Sequence, residues 1–204
     1  MDRRPDEPTR RALALALPWI PILGGLGAAL APSASAAQGA APPPERKRLV
    51  ATVILLRHAE KDTTGDSVNP GLSDVGKKRA ADLARLLARA RVTHLFASKY
   101  RRAQETLQPF AEASGLKVNT DLGAVSVELG PYLLGLPAGS VAVVAGHSNT
   151  IPALAAALGG ELQGLEPTPQ GPSLSEKEYA RLFVLTPGPE PTSKPLVLEL
   201  SYGD

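Results

Sequence analysis

Two uninterrupted apolar runs, residues 50–56 (VATVILL) and 141–145 (VAVVA), constrain this chain most. A strand with one wet face alternates apolar and polar side chains, whereas a strand buried on both faces reads as a continuous apolar run. Amphipathic helices fall between and after them. Ser73 is placed to cap a helix reaching about Arg91, with Leu83, Leu86, Leu87 and Ala90 on one face. Lys77, Lys78, Arg85 and Arg89 lie mostly elsewhere and read as its solvated side. A short strand, His94–Ala97, leads to a helix over about 99–114 that Gly115 closes. Residues 116–119 suit an edge strand, 150–158 a further helix, and 179–186 and 196–201 two neighbouring strands joined by a Pro/Gly-rich loop. The alternation predicts a three-layer α/β/α sandwich around a mostly parallel sheet.

The front of the chain has a different composition. Eight of the 20 prolines lie in the first 44 residues. Arg3, Arg4, Arg10 and Arg11 precede an apolar Ala/Leu/Gly-rich stretch over 12–31, and a small-residue run follows with Ala34 and Ala36 in an A-x-A pattern. Basic, apolar and small-residue regions in that order read as an export signal over residues 1–37. Arg10-Arg11 resembles the twin-arginine variety. The alternative is an uncleaved anchor in the inner membrane, although Pro18, Pro21, Gly24, Gly25 and Gly27 weaken the stretch as a span. Residues 38–48 then form a Pro/Ala-rich linker, and 49–204 the folded domain. The expected location is periplasmic or secreted, with membrane contact only through an uncleaved signal.

Composition narrows the chemistry. With 22 basic and 20 acidic residues, the net charge of +2 implies no nucleic-acid stripe. The absence of cysteine excludes disulfides, thiolate catalysis, zinc ribbons, iron–sulfur clusters and a lipoprotein anchor.

Three basic motifs follow strands directly: Arg57-His58, Arg101-Arg102 and Gly146-His147. In open α/β sheets ligands bind outside the carboxyl ends of the strands, so these residues are expected to meet there. Helix N-termini nearby favour an anion. No H-x-x-x-H spacing is present, and adjacent guanidinium groups would repel a metal cation, so neither a metal nor another cofactor is expected. A phosphoryl group suits the cluster, because the arginine fork matches its oxygens. Neighbouring positive charge would also keep a histidine neutral and nucleophilic.

Residues 55–61 (LLRHAEK) resemble the first signature of the histidine phosphatase superfamily, also called phosphoglycerate mutase-like. Residues 97–106 (ASKYRRAQET) are similar to its S-x-x-x-R-A-x-x-T element, 144–150 (VAGHSNT) to its third element, and 72–76 (LSDVG) to its helix-opening L-S-x-x-G. The resemblance covers nearly all of the domain and points to the small bacterial branch, which includes phosphohistidine phosphatases.

This resemblance implies that His58 is the nucleophile forming a phosphohistidine intermediate, with Arg57, Arg102 and His147 binding the phosphoryl oxygens. Arg101 is the register alternative to Arg102, and Ala103 and Thr106 favour Arg102. Glu60 is expected to orient a basic neighbour. The family often places a general acid between the second arginine and second histidine. Glu128 is the candidate here and Asp121 its competitor, and some small members have no such acid. His94, Tyr179 and Phe183 read as packing residues. The function expected is an exported phosphatase acting on phosphomonoesters or phosphoramidates, its partner a phosphorylated small molecule or phosphoprotein. The alternatives are a non-catalytic phosphate or sugar-phosphate binding module and a phosphomutase.

Overall fold

The parallel heart of the molecule is built from the two apolar runs. Strand β1 (Thr52–Arg57) pairs in parallel with β4 (Val141–Gly146), Ile54 opposite Val143 and Arg57 opposite Gly146. On the far side of β4 lies β2 (His94–Ala97), also parallel, and beyond it the two-residue edge strand β3 (Val118–Asn119). On the other side of β1, strand β5 (Arg181–Thr186) runs antiparallel, and β6 (Leu196–Ser201) is antiparallel to β5. The sheet order is therefore β3-β2-β4-β1-β5-β6. The computed structural model describes residues 51–121, 127–188 and 193–203, all within the unit of the chain from Pro44 to Asp204. The expected export signal and linker lie outside the described residues.

Alternation along β1 divides the core in two, as a central strand in a three-layer fold requires. Val53 and Leu55 pack with Ile151 and Leu154 of helix α4 (Thr150–Ala157) and with Leu129 and Leu133 of α3 (Leu129–Leu134). Ile54 and Leu56 face the opposite layer. There they meet Leu83 and Leu87 of α1 (Asp74–Leu87) and Leu107 and Phe110 of α2 (Arg101–Ser114). Each such fully buried aliphatic side chain contributes roughly 1.5–3 kcal/mol. The expected α/β/α sandwich is thus observed, with a mixed but mostly parallel sheet.

Local boundaries follow local chemistry. The Ser73 side chain accepts from the Gly76 N–H and caps α1. That helix stops at Leu87, short of the expected Arg91, where the backbone turns left-handed (φ 51°) ahead of β2. Gly115 closes α2 at φ 73°, a conformation favouring glycine. Gly76 has a different reason to be glycine. A Cβ there would lie 2.2 Å from the Glu60 carbonyl oxygen, so α1 packs directly on the backbone of the loop after β1.

Candidate active site

Because β2, β4 and β1 are parallel neighbours, their carboxyl ends lie side by side at one edge of the sheet. Arg57-His58, Ser98 and Gly146-His147 all emerge there. Antiparallel β5 brings its beginning to the same edge, Leu182 standing opposite Leu56. The segment leading into β5 thereby reaches the site. Together these elements line a cavity of about 520 Å³ that contains Arg57, His58, Arg102, His147, Ser148 and Glu176.

His58 is 4% exposed and held from both sides. Its Nδ1 lies 2.7 Å from the Ala59 carbonyl oxygen, which can only accept, so Nδ1 carries the proton. Its Nε2 accepts from Arg102 Nε at 3.1 Å. The ring is therefore the neutral tautomer with its free lone pair on Nε2. Burial, opposed by the Ala59 carbonyl and helped by His147, Arg57 and Arg102, lowers the pKa to about 3.

Its support comes from α2. The buried Thr106 hydroxyl accepts from the Ala59 N–H at 2.9 Å and donates to the Arg102 carbonyl at 2.7 Å. It thus ties the loop after β1 to the first turn of α2. The same loop is tied to α1, where the Ser73 N–H donates to the Glu60 carbonyl at 2.9 Å. The Glu60 carboxylate accepts from Arg79 Nε and Nη2, and Arg79 Nη1 donates to the Tyr202 carbonyl. Glu60 thus does orient a basic neighbour, and that neighbour is Arg79.

His147 stands 5.2 Å from His58 between ring centroids and packs edge-on against Tyr100. Its Nε2 lies 2.8 Å from the buried Ser98 hydroxyl. Burial first, then Arg102 and Arg57, lower its pKa to about 4. Both histidines are uncharged at neutral pH, leaving Arg57, Arg102 and Lys61 as the positive charge of the pocket.

Arg57 is 2% exposed and reaches across to the segment before β5. Nη1 donates to the carbonyls of Ser175 (2.8 Å) and Glu178 (3.3 Å), and Nη2 to Glu176 Oε2 at 2.6 Å. Its guanidinium lies 4.2 Å from the Tyr179 ring centroid, and that of Arg102 4.5 Å from Tyr100. Arg57 Nε is buried and has no hydrogen-bond partner among the described residues. The other Glu176 oxygen accepts from Ser148 Oγ at 2.6 Å. That bond, followed by Arg57, holds the Glu176 carboxyl below its usual range despite partial burial.

The fold therefore brings together His58, His147, Arg57 and Arg102. Arg101 points elsewhere, pairing with Glu105. Glu128 and Asp121 are exposed and neither lines the cavity; Glu128 flanks the start of α3. The carboxylate at the site is Glu176, which sequence reasoning did not single out. Tyr179 is not a strand packing residue either: it precedes β5 and lies 6.1 Å from His58, ring to ring. Phe183 is buried in the core, and His94 stacks on Phe96 at the start of β2. Glu176 and Tyr179 were hidden because only the antiparallel direction of β5 carries them to this edge. Among the described residues, no group of three or more His, Asp or Glu side chains is disposed to hold a metal ion.

Residues 53–137 match the family model of the histidine phosphatase superfamily (branch 1). Solved structures share the fold. One is the protein assigned as phosphohistidine phosphatase SixA from Agrobacterium tumefaciens, 24% identical with a TM-score of 0.50 over 75% of this chain and 97% of that one. The corresponding SixA assignment from Nakamurella multipartitia is 19% identical, with a TM-score of 0.52 over 75% and 96%. A mycobacterial hydrolase is 17% identical, with a TM-score of 0.50 over 74% and 97%. No curated protein matches the chain. The family model thus matches 85 of the 204 residues, and the solved structures, each under 25% identical, share the fold.

Proposed function

We propose that this protein is an exported phosphatase that passes a phosphoryl group from a phosphomonoester or phosphoramidate to His58, and from His58 to water. One observation carries the reading: a buried neutral imidazole, its Nδ1 proton committed to Ala59, presents the Nε2 lone pair to the Arg102 guanidinium. In the first step the Nε2 lone pair forms the N–P bond, and the leaving group departs with the electrons of its own bond to phosphorus. The Ala59 carbonyl then faces an Nδ1–H whose ring has become electron-poor, and stabilises it. Arg102, the buried Arg57 and a His147 N–H stabilise the phosphoryl oxygens. In the second step water attacks phosphorus, the N–P bond breaks, and Nε2 regains its lone pair. Both protons of the water leave with the phosphate as its monobasic anion.

Among the described residues no carboxylic acid held in its protonated form lines the cavity, since Glu176 is kept ionised by Ser148 and Arg57. Leaving groups that need little help from a general acid are favoured accordingly. Aryl phosphates and phosphoramidates meet that condition. Phosphohistidine is a phosphoramidate of this kind, and it is the substrate named for the SixA proteins whose fold this chain shares.

Release of phosphate from an aryl phosphate by the full chain, and its loss in His58→Ala, tests the proposal. Acid-labile labelling of the wild type, absent from that variant, would identify the intermediate. A wild type that binds phosphate and releases none from any phosphorylated substrate is a binding module instead. Export rests on residues 1–37 of the sequence. The N-terminal mass of the protein recovered from outside the cytoplasm tests it, with processing near Ala36-Ala37 expected.

A further inference from the structure

A second cavity of about 560 Å³ opens beside the first, between the outer face of α4 and residues 160–172. Asn149 and Gln170 line both cavities, so the two adjoin at these residues. Their charge differs. The first gathers Arg57, Arg102 and Lys61, whereas among the described residues no lysine or arginine lines the second. Apolar side chains stand on both of its walls, Pro152, Ala153 and Ala156 on the helix side and Leu162, Leu165 and Pro172 opposite, with Asn149, Gln163 and Gln170 among them. Among the described residues its one acidic or basic lining side chain is Glu161, whose carboxylate would repel a second phosphate.

The groove is a built feature, because its loop wall is pinned at three places. Glu166 and Ser173 exchange backbone hydrogen bonds of 2.8 and 2.9 Å, closing the loop on itself. The Leu174 N–H donates to the Ser148 carbonyl at 2.9 Å, fastening the loop to the residue beside His147. Arg181 donates to the carbonyls of Gln163 and Gly164 while paired with Glu199 and Glu178. Leu162 and Leu174 anchor the same loop in the core.

We propose that this groove is a leaving-group subsite, taking the uncharged, apolar organic part of a substrate whose phosphoryl group sits at His58. The inference rests on the phosphatase reading and adds its specificity. The arginines fix the anionic end, and the route past Asn149 and Gln170 leads to the apolar surface. A cavity of this size holds a chain or ring system of small-molecule dimensions.

Calorimetric titration of the full chain with methylphosphonate and with hexylphosphonate tests this without relying on turnover. Each buried methylene should tighten binding about threefold to fourfold, so hexylphosphonate is expected to bind roughly tenfold tighter or more, allowing for partial burial. Ala156→Glu, on an exposed helix position, places a charge in the groove and should bring the two affinities close together. Using their ratio cancels any uniform effect on phosphonate binding. Equal affinities in the wild type, or a ratio that survives Ala156→Glu, would overturn the subsite and leave the phosphoryl pocket standing. If neither phosphonate binds, the phosphatase reading fails as well.

Discussion

Arg102 Nε donates to His58 Nε2 at 3.1 Å, on the opposite side of the ring from the Ala59 carbonyl that holds Nδ1. One guanidinium thus marks where the nucleophile points and supplies charge for the group it will attack. Lysine would keep the charge but lose the planar fork, and with it the fixed direction of the N–H groups. Arg102→Lys is therefore expected to lower kcat for an aryl phosphate by roughly 10²–10³-fold, the usual cost of removing an oriented donor from a transition state. Steady-state kinetics on the variant measure this directly. A rate within a few-fold of the wild type would remove Arg102 from the transition state.

The two histidines also set a pH dependence of stability. Each has its pKa lowered from 6.5, to about 3 for His58 and about 4 for His147. Between those values and 6.5 the unfolded chain binds protons that the folded protein refuses. Unfolding is thus favoured as pH falls, and stability rises with pH through that window. Each histidine contributes a slope of up to about 1.4 kcal/mol per pH unit. Denaturant unfolding from pH 4 to pH 7 should show a shallower decline in His58→Ala than in the wild type. Identical slopes would mean that His58 is not held neutral. Catalysis itself should tolerate mild acid, since neither imidazole takes up a proton near pH 5.

Gly76 gives a prediction at a distance from the chemistry. Its Cα faces the Glu60 carbonyl, where a Cβ would come within 2.2 Å of backbone. Ala is the better helix former by about 1 kcal/mol, so an unobstructed site would be stabilised by Gly76→Ala. Here α1 must instead move off the loop that carries His58, at a cost of roughly 1–3 kcal/mol. Gly76→Ala should lower both the denaturation midpoint and kcat, and a gain in stability would show that the close approach is not maintained in solution.

What could be read in the sequence was whatever depends on the strands that run in one direction. The runs at 50–56 and 141–145 announced buried parallel strands, and their carboxyl ends located His58 and His147. Motif residues without chemistry of their own acquire their reasons only in three dimensions. Ser98 holds His147, Thr106 holds Ala59, and Gly76 admits Glu60. Glu176 was illegible because nothing in the local pattern says which way β5 runs. An expectation that the acid lies between Arg102 and His147 pointed to Glu128, and the fold puts that residue beside α3.

Glu176 and Glu128 can therefore be told apart by experiment. Glu176 lies in the pocket with Arg57 2.6 Å away, and its side chain is largely exposed. As a fixed anion it competes with phosphate for that guanidinium. Its lowered pKa leaves it without a proton to give at neutral pH. Glu176→Gln keeps a hydrogen-bonding group in place and removes the charge. Competitive inhibition by inorganic phosphate should then strengthen by roughly threefold to tenfold, the scale of one unit charge a few ångströms away in a partly solvated site. The dependence of kcat on leaving-group basicity should stay as in the wild type, because no proton donor has been removed. Glu128→Gln should change neither quantity. A steeper leaving-group dependence in Glu176→Gln would make that residue the general acid, and the same result in Glu128→Gln would return the role to α3.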